Sequence, residues 1–531
     1  MEAQVSDPPT LLLSPDAHWA GLLTLAASAP PTSALLVYFQ PGTYVFFGEM
    51  VLPPWLELVF APGAVVVLGA ASRLVIQGPL QAGLHQLFEL HHEVLPGVLQ
   101  LGSREFPSLG PREVYPEWFG AVQPTTRGVP RRPINVARAI SDAIETAWRR
   151  RVLEGIPPLP VVLTGSYALT EAVVVQGDTG DGRPATEGLL LRGTYGGGLP
   201  DGRGPNLLAA PGFTGPALLW LGGVSGATVE GVSFSAERRA PTCVAVLNLP
   251  FVVNSQGIRF APLRDMLFRG CLFEGATERQ LGARVLWADG DSHHSQALEG
   301  SFPESFAAST AVPGLTLDGC RVVVWGVQNI AANGVEVRGS RSLGVRVASC
   351  VFEGSARWML RAEAGSMLVQ GCSFDNTYIG DGRLPEEGAD VVLASPGPGS
   401  GAATAATINH CRSTSERLVC ILDATTGVVG RGALPPAAPG LTLLQVEHQP
   451  RSGAISSAEP RPSVTSPPPR YSVFSATAPS PEGAPPVTLT GCQLGAWVVA
   501  RTAQEVLVLD GDRPSEIFVG EGTTLRRVSR P

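Results

Sequence analysis

The chain has 531 residues, a net charge of −8, 44% hydrophobic and 16% charged residues, 62 glycines and 48 prolines. The acidic balance excludes a whole-protein basic footprint for nucleic acid, and the composition suits half-buried and fully buried strands joined by many turns. All 38 basic residues are arginine, so neither a Schiff-base lysine nor a Walker-A phosphate lysine is present.

Residues 1–34 are rich in Pro and Ala and read as a loose N-terminal arm. Glu2 and Asp7 precede the apolar Leu11–Leu13, and the first basic residue is Arg73. A secretory signal needs a basic n-region and a clean apolar core, so none is read here, and no transmembrane span is read anywhere. Residues 35–112 carry short strands at Leu35–Phe39, Tyr44–Phe47, Leu56–Phe60, Val65–Leu68, Leu74–Ile76 and Val98–Leu101, separated by Pro-Gly and Gly-Pro pairs. They predict a small β-rich cap or an extra set of rungs. His91-His92-Glu93 lacks the HExxH spacing and reads as a loop.

Residues 113–158 are a connector, E-V-Y-P-E-W-F-G-A, followed by a helix over Pro133 to Arg151. Val136, Ala137, Ile140, Ala143, Ile144, Ala147 and Trp148 form its apolar stripe. Arg149-Arg150-Arg151 suits the negative end of the helix dipole without any ligand. Such a helix would cover the open end of a coil, which otherwise presents an unpaired strand edge. The Gly-rich run Gly193 to Gly204 reads as a loop, since no P-loop lysine follows it.

From residue 159 to 531 one template recurs: apolar-x-apolar-x-x-Cys-x-Phe. Val345, Val347, Cys350 and Phe352 map onto Met367, Val369, Cys372 and Phe374, each by 22 residues. Met266, Phe268, Cys271 and Phe273 fit it, as do Leu315, Leu317, Cys320 and Val322, and Val487, Leu489, Cys492 and Leu494. Ala406, Ile408, Cys411 and Ser413 fit weakly, and Ala227, Val229, Val232 and Phe234 fit with Val in the Cys place. Alternation of period two marks strands. The odd step from Val347 to Cys350 would flip side-chain parity along a straight strand. A bend at Ala348-Ser349, and likewise at Gln370-Gly371, keeps both arms facing inward. Strand, corner, strand and return describe one turn of a right-handed parallel β-helix, a solenoid, the hand following the general rule for parallel crossovers. The cysteine intervals of 49, 30, 22, 39 and 81 imply loops of variable length inserted at the turns. In-register cysteines point the same way, so they read as buried thiols rather than disulfides. Residues 449–486, rich in Pro, Ser and Ala, read as an insertion or disordered loop within the coil.

Three stretches carry a family likeness: A-P-G-A-V-V-V-L-G-A-A-S-R-L-V-I-Q-G-P-L-Q-A-G-L-H-Q-L-F at 61–88, Y-P-E-W-F-G-A at 115–121, and the helix followed by P-V-V-L-T-G-S-Y-A-L at 160–169. On these and the rungs, the chain resembles the pectate-lyase-like superfamily, in the branch called glycosyl hydrolase family 28-related. That branch holds secreted polysaccharide-active proteins and phage tailspikes. The resemblance implies a polysaccharide partner, an extracellular setting and, if tailspike-like, a trimer. The branch's Gly-Asp-Gly and Asp-Asp-Thr before the helix are absent. So are the polygalacturonase motifs Asn-Thr-Asp, Asp-Asp, Gly-His-Gly and Arg-Ile-Lys. No catalytic residue is therefore carried over.

Two loops hold enough chemistry for a site. The first follows Cys372 and carries Asp375, Asn376, Tyr378, Asp381, Arg383, Glu386, Glu387 and Asp390. Glycoside hydrolysis needs two carboxyls, one protonated to assist the leaving oxygen and one to activate water or attack. Lyase cleavage of a uronate needs a base and a cation, often calcium. Asp375, Asp381 and Arg383 could supply either set, with Tyr378 and Glu386 binding substrate; no cofactor is required unless the chemistry is that of a calcium-assisted lyase. The bland reading is a solvated turn in which D-N and D-G are turn formers. The second loop is Asp289-Gly-Asp291-Ser-His293-His294, whose Asp and His side chains could bind a metal, share acid–base work or bind substrate, the bland reading being a polar surface turn. Trp325, Trp358, Tyr378 and Trp497 fall five to eight residues after a rung cysteine. They make either a stacking platform for sugar rings or core packing. Two functions follow: cleavage of a glycosidic bond in a groove built from turn loops, or a non-catalytic β-helix acting as adhesin, spike component or polysaccharide-binding module. They are discriminated by whether two carboxyls share one face of neighbouring rungs.

Overall fold

The computed structural model describes residues 10–15, 19, 21–22, 24, 34–92, 96–121, 135–176, 188–194, 204–222, 224, 226–247, 250–254, 257–260, 265–276, 284–289, 314–325, 332–338, 344–363, 366–378, 384–394, 405–422, 440–456, 458–463, 467–476, 486–500, 505–510, 517–521 and 523–529. These are mostly β, in long parallel sheets with one long helix.

The first strands alternate buried and half-buried side chains, as in Leu56–Phe60 and Ala64–Leu68. Leu35–Phe39, Gly42–Phe46 and Glu49–Leu52 each join a separate small sheet. Leu56–Phe60, Ala64–Leu68 and Arg73–Ile76 then pair with them in parallel, in the same order. Leu80–Gln81, Phe88–Leu90 and Val98–Leu101 repeat the cycle. The 35–112 region is thus organised like rungs. The stretch expected as a loose arm contributes Thr10–Leu13, which pairs with Leu35–Phe39.

The helix spans Val136–Glu154 and starts where the Asn135 side chain accepts a hydrogen bond from the Arg138 amide at 3.2 Å. It ends at Gly155, whose φ of 72° is the left-handed cap that glycine permits. Ala137, Ile140, Ala143, Ile144 and Ala147 are buried, while Val136 and Trp148 are partly so. The helix packs against Val98–Leu101 before it and Ser166–Gln176 after it. Both are end strands of their sheets, so the helix lies against an end of each set.

Beyond the helix, a twelve-stranded parallel sheet runs from Pro160–Leu163 to Thr524–Ser529, and a nineteen-stranded sheet pairs as two further parallel columns. Consecutive strands visit the columns in turn. Val345–Ala348 pairs with Ser366–Gln370, Val351–Gly354 with Ser373–Asn376, and Trp358–Glu363 with Ala389–Ala394. The predicted template register is met, Val345 opposite Met367 and Phe352 opposite Phe374.

The corner between the first two columns has one conformation. Gly231, Gly270, Gly319, Gly371 and Gly491 have φ between 57° and 63°, and Ser349, His410 and Gln445 occupy the same left-handed region at 50° to 53°. This single residue turns the chain and corrects the parity, which is why Cys350 and Cys372 face inward with Val347 and Val369. All eight cysteines are free and buried. The corner thiols donate to backbone carbonyls, Cys271 to Val229 at 3.4 Å and Cys411 to Asn409 at 3.3 Å.

Three residues past the corner, one inward ladder is fixed by register: Phe234, Phe273, Val322, Phe352, Phe374, Ser413, His448 and Leu494. Phe352 and Phe374 stack with centroids 4.9 Å apart and Phe234 and Phe273 at 5.4 Å. His448 marks a turn the template did not recognise, with Leu441, Leu443 and Val446 as its other inward residues. The 449–486 stretch is not wholly an insertion. Tyr471–Ala476 is a strand of the third column, between Arg417–Leu422 and Trp497–Val499. Its Y-S-V-F-S-A contains no Pro, so its amides can join the ladder.

Candidate functional site

The outer side of the second column gathers charged and aromatic side chains from separate turns. Register places Glu274, Val323, Glu353 and Asp375 in one row, and Arg321, Val351, Ser373, Arg412 and Glu447 in another. A shallow groove of about 450 Å³ crosses the rows, lined by Glu274, Arg321, Val323, Trp325 and Glu353. Its end is close to backbone because Gly231, Gly270 and Gly319 of the corner carry no side chain there. Trp325 is 56% exposed. Arg321 is held in place by Glu353 Oε1, which accepts from Nε at 3.0 Å and from Nη2 at 2.5 Å.

Asp375 follows in the same row. Its Oδ1 accepts from Thr414 Oγ1 at 2.7 Å and pairs with Arg451. Partial burial pushes this carboxyl up, but the Thr414 hydroxyl and the Arg451 guanidinium outweigh it and hold it below the ordinary carboxylate range. Glu353 and Asp375 are register partners. Parallel strands lie about 4.8 Å apart, so the two carboxyls share one face of neighbouring turns.

Other residues singled out from sequence are placed differently. Trp358 is only 3% exposed, with the Arg357 and Arg361 guanidinium carbons 4.8 and 5.0 Å from its ring centroid. Trp497 is also buried. Both belong to an apolar cluster on the third column with Tyr471, Phe474 and Ile455. Trp358 and Trp497 therefore pack instead of forming a sugar platform. Glu386 is buried and paired with Arg357 at 3.0 Å. Tyr378 is half-buried, its amide donating to Asn376 Oδ1 at 3.1 Å. Asn376 is buried and locks a turn by exchanging hydrogen bonds with Ala356 at 3.0 and 2.9 Å. Asp289 ends the strand Arg284–Asp289, opposite Leu247 and Arg338. Asp381, Arg383, Asp291, His293 and His294 lie outside the described residues.

Beneath Asp375 is a buried polar network. Asp390, 0% exposed, accepts from Ser413 Oγ on one carboxyl oxygen and Ser415 Oγ on the other, both at 2.6 Å. Ser415 Oγ also accepts from the Asn376 amide at 2.7 Å. His448 spans the next turn, with Nε2 2.9 Å from the Ser415 carbonyl and Nδ1 2.8 Å from Ser472 Oγ. Burial raises the Asp390 carboxyl to about 8 and lowers the His448 imidazole to about 4. Both groups are neutral over much of the neutral range. The serine hydroxyls suit this, since each can donate or accept.

Among the described residues no group of three or more His, Cys, Asp or Glu could hold a metal ion, and no helix is long and apolar enough to cross a membrane.

No family model matches the chain, and no curated protein matches it. Solved structures similar to it include the full-length tailspike protein 2 of Escherichia coli O157:H7 bacteriophage CAB120, at TM-score 0.30 and 9% identity over 77% of this chain and 47% of that one. The chain thus spans about half of that tailspike's length. The enzymatically active domain of bacteriophage CBA120 tailspike protein 2 aligns at TM-score 0.31 and 9% identity over 79% of this chain and 54% of that one. The Agl-KA catalytic domain aligns at TM-score 0.26 and 9% identity over 99% and 69%. No residue role is taken from these structures.

Proposed function

We propose that the three columns wind as a right-handed parallel β-helix, the hand that parallel crossovers follow, and that the protein is polysaccharide-active. A glycan chain lies across the outer side of the second column. The observation that carries this reading is the exposed Trp325 beside Arg321, Glu274 and Glu353 in one shallow groove. An indole face suits the apolar face of a sugar ring, and fixed carboxylate and guanidinium groups suit hydroxyls, which both donate and accept. Turns about 4.8 Å apart offer these groups repeatedly along an extended ligand.

Cleavage is a second reading, favoured by the register of Glu353 with Asp375. The strand spacing of about 4.8 Å is close to the ~5 Å separation of paired carboxyls in a retaining glycosidase. Asp375, held ionised, suits the nucleophile, and Glu353 would have to be the acid. Arg321 already holds Glu353 Oε1 with two hydrogen bonds, so binding is the first reading and cleavage the second.

The test is incubation of the purified protein with acidic and neutral polysaccharides, with and without calcium, reading products by mass spectrometry and retention by affinity electrophoresis. Retention that Trp325→Ala removes supports binding at the groove. Oligomer products that vanish in Glu353→Gln and Asp375→Asn, with unchanged thermal unfolding, support cleavage. No retention and no products on any polymer would sink both readings.

A further inference from the structure

A second groove lies elsewhere on the molecule, between the helix and the strands that follow it. It encloses about 890 Å³, within the ~300–1,000 Å³ typical of ligand sites. One wall is a single helix face: Arg138, Ser141, Glu145, Trp148, Arg149 and Val152 recur at helical spacing. The floor is the outer side of two paired strands, Ser166–Gln176 and Asn206–Gly222, where Val174 sits opposite Trp220. Trp148 and Trp220 are both partly buried and both line the groove. Leu153 and Val174, exposed by 47% and 36%, complete its apolar surface.

The strand pair is irregular at this place. Its register shifts twice, between Leu169 and Glu171 and between Glu171 and Val173. The extra residues of the second strand put Thr214 opposite Glu171 and bring Gly215 and Pro216 into the groove lining. Gly215 has a φ of 134°, and a Cβ there would lie 3.1 Å from Ala172 Cβ. The bulge therefore requires glycine and re-aims the side chains around it. The polar groups are oriented by neighbours. Glu145 is paired with Arg149 one helical turn on, and Glu171 accepts from Asn135, the helix cap.

We propose that this groove is a second oligosaccharide-binding site, taking a short run of neutral sugar rings. Two indoles and an aliphatic rim supply flat apolar surface. Fixed pairs of opposite charge supply acceptors and donors together, which fits hydroxyl groups better than a ligand of one charge. This goes beyond the proposed glycan face at Trp325, which is on a different column and other turns.

The test uses the full chain with cellohexaose, maltohexaose and xylohexaose as probes, read by isothermal titration and tryptophan fluorescence. Trp220→Ala removes one platform, and Leu153→Arg, at an exposed rim position, crowds the groove without touching the core. Both should weaken binding of at least one hexaose about tenfold or more, with thermal unfolding unchanged for Leu153→Arg. Trp325→Ala should leave that binding in place. If Leu153→Arg and a folded Trp220→Ala bind as the native chain does, or no hexaose binds, the groove is not a sugar site. Loss of binding in Trp325→Ala alone would overturn the second site while keeping the first. Loss in the groove variants alone places hexaose binding at the second site, and the Trp325 face stands or falls by its own polymer-retention test.

Discussion

Replacing Asp390 by Asn should change how stability depends on pH. The native carboxyl is fully buried, with two serine hydroxyls at 2.6 Å and a folded-state value raised to about 8 from 3.8. Burial is the main cause. Asp375 adds to the rise, while Ser413, Ser415 and Arg451 oppose it. An acid that holds its proton more tightly when folded contributes fully below its unfolded value. It loses that contribution as pH rises through the folded value. His448 acts in the opposite sense: lowered to about 4 from 6.5, it favours the folded chain above 6.5 and loses this as pH falls toward 4. Between 4 and 6.5 the two slopes cancel in large part. Between 6.5 and about 8 Asp390 acts alone. One proton corresponds to about 1.4 kcal/mol per pH unit, so native stability should fall by about 2 kcal/mol over that window. Asn is neutral at every pH and nearly isosteric, so Asp390→Asn should remove this fall. Urea unfolding followed by tryptophan fluorescence across the window measures both chains, and their difference cancels every other titrating group. Parallel curves for native and variant, or a flat native curve, would refute the buried neutral acid.

Phe374→Ala opens a void in the ladder between Phe352 and Ser413 and should cost about 3–5 kcal/mol in a denaturant melt; a loss below about 1 kcal/mol would place the ring in solvent. Gly319→Ala tests the corner in isolation, because a Cβ there meets nothing within 4 Å while φ is 60°. Backbone strain alone should cost about 1–2 kcal/mol, and no measurable cost would contradict the left-handed corner. Ser349→Gly at the equivalent turn should instead stabilise by about 0.5–1 kcal/mol, read in the same melt. Glu353→Gln and Asp375→Asn should each lower any polymer-cleaving rate by at least about 100-fold, and full retained activity would remove the catalytic reading.

The fold was legible where one physical signal repeated without interruption. Period-two alternation, a parity-correcting bend and a Cys-x-Phe pair recur 22 residues apart at Cys350 and Cys372, and these features locate the corner at Ser349 and Gly371. Legibility failed where a turn kept the geometry but changed the chemistry. The turn at Val446 and His448 has Val for Cys and His for Phe, so an inward position read as polar. Tyr471–Ala476 was hidden by the prolines around it.

The site failed for a different reason. Asp375 is visible as a carboxyl after a strand, but its partners come from 22, 39 and 76 positions away: Glu353, Thr414 and Arg451. Loop lengths that vary from turn to turn conceal such neighbours, since only register brings them together. One clue to the buried network was present in the sequence. Ser413 stands where the template has Phe, and a hydroxyl in an apolar ladder requires a partner or pays the cost of desolvation. Pursued, that requirement leads across the turn to Asp390 and on to His448, whose imidazole joins Ser415 and Ser472. Adjacent polar substitutions in one inward stack thus mark a satisfied internal network, not a break in the coil.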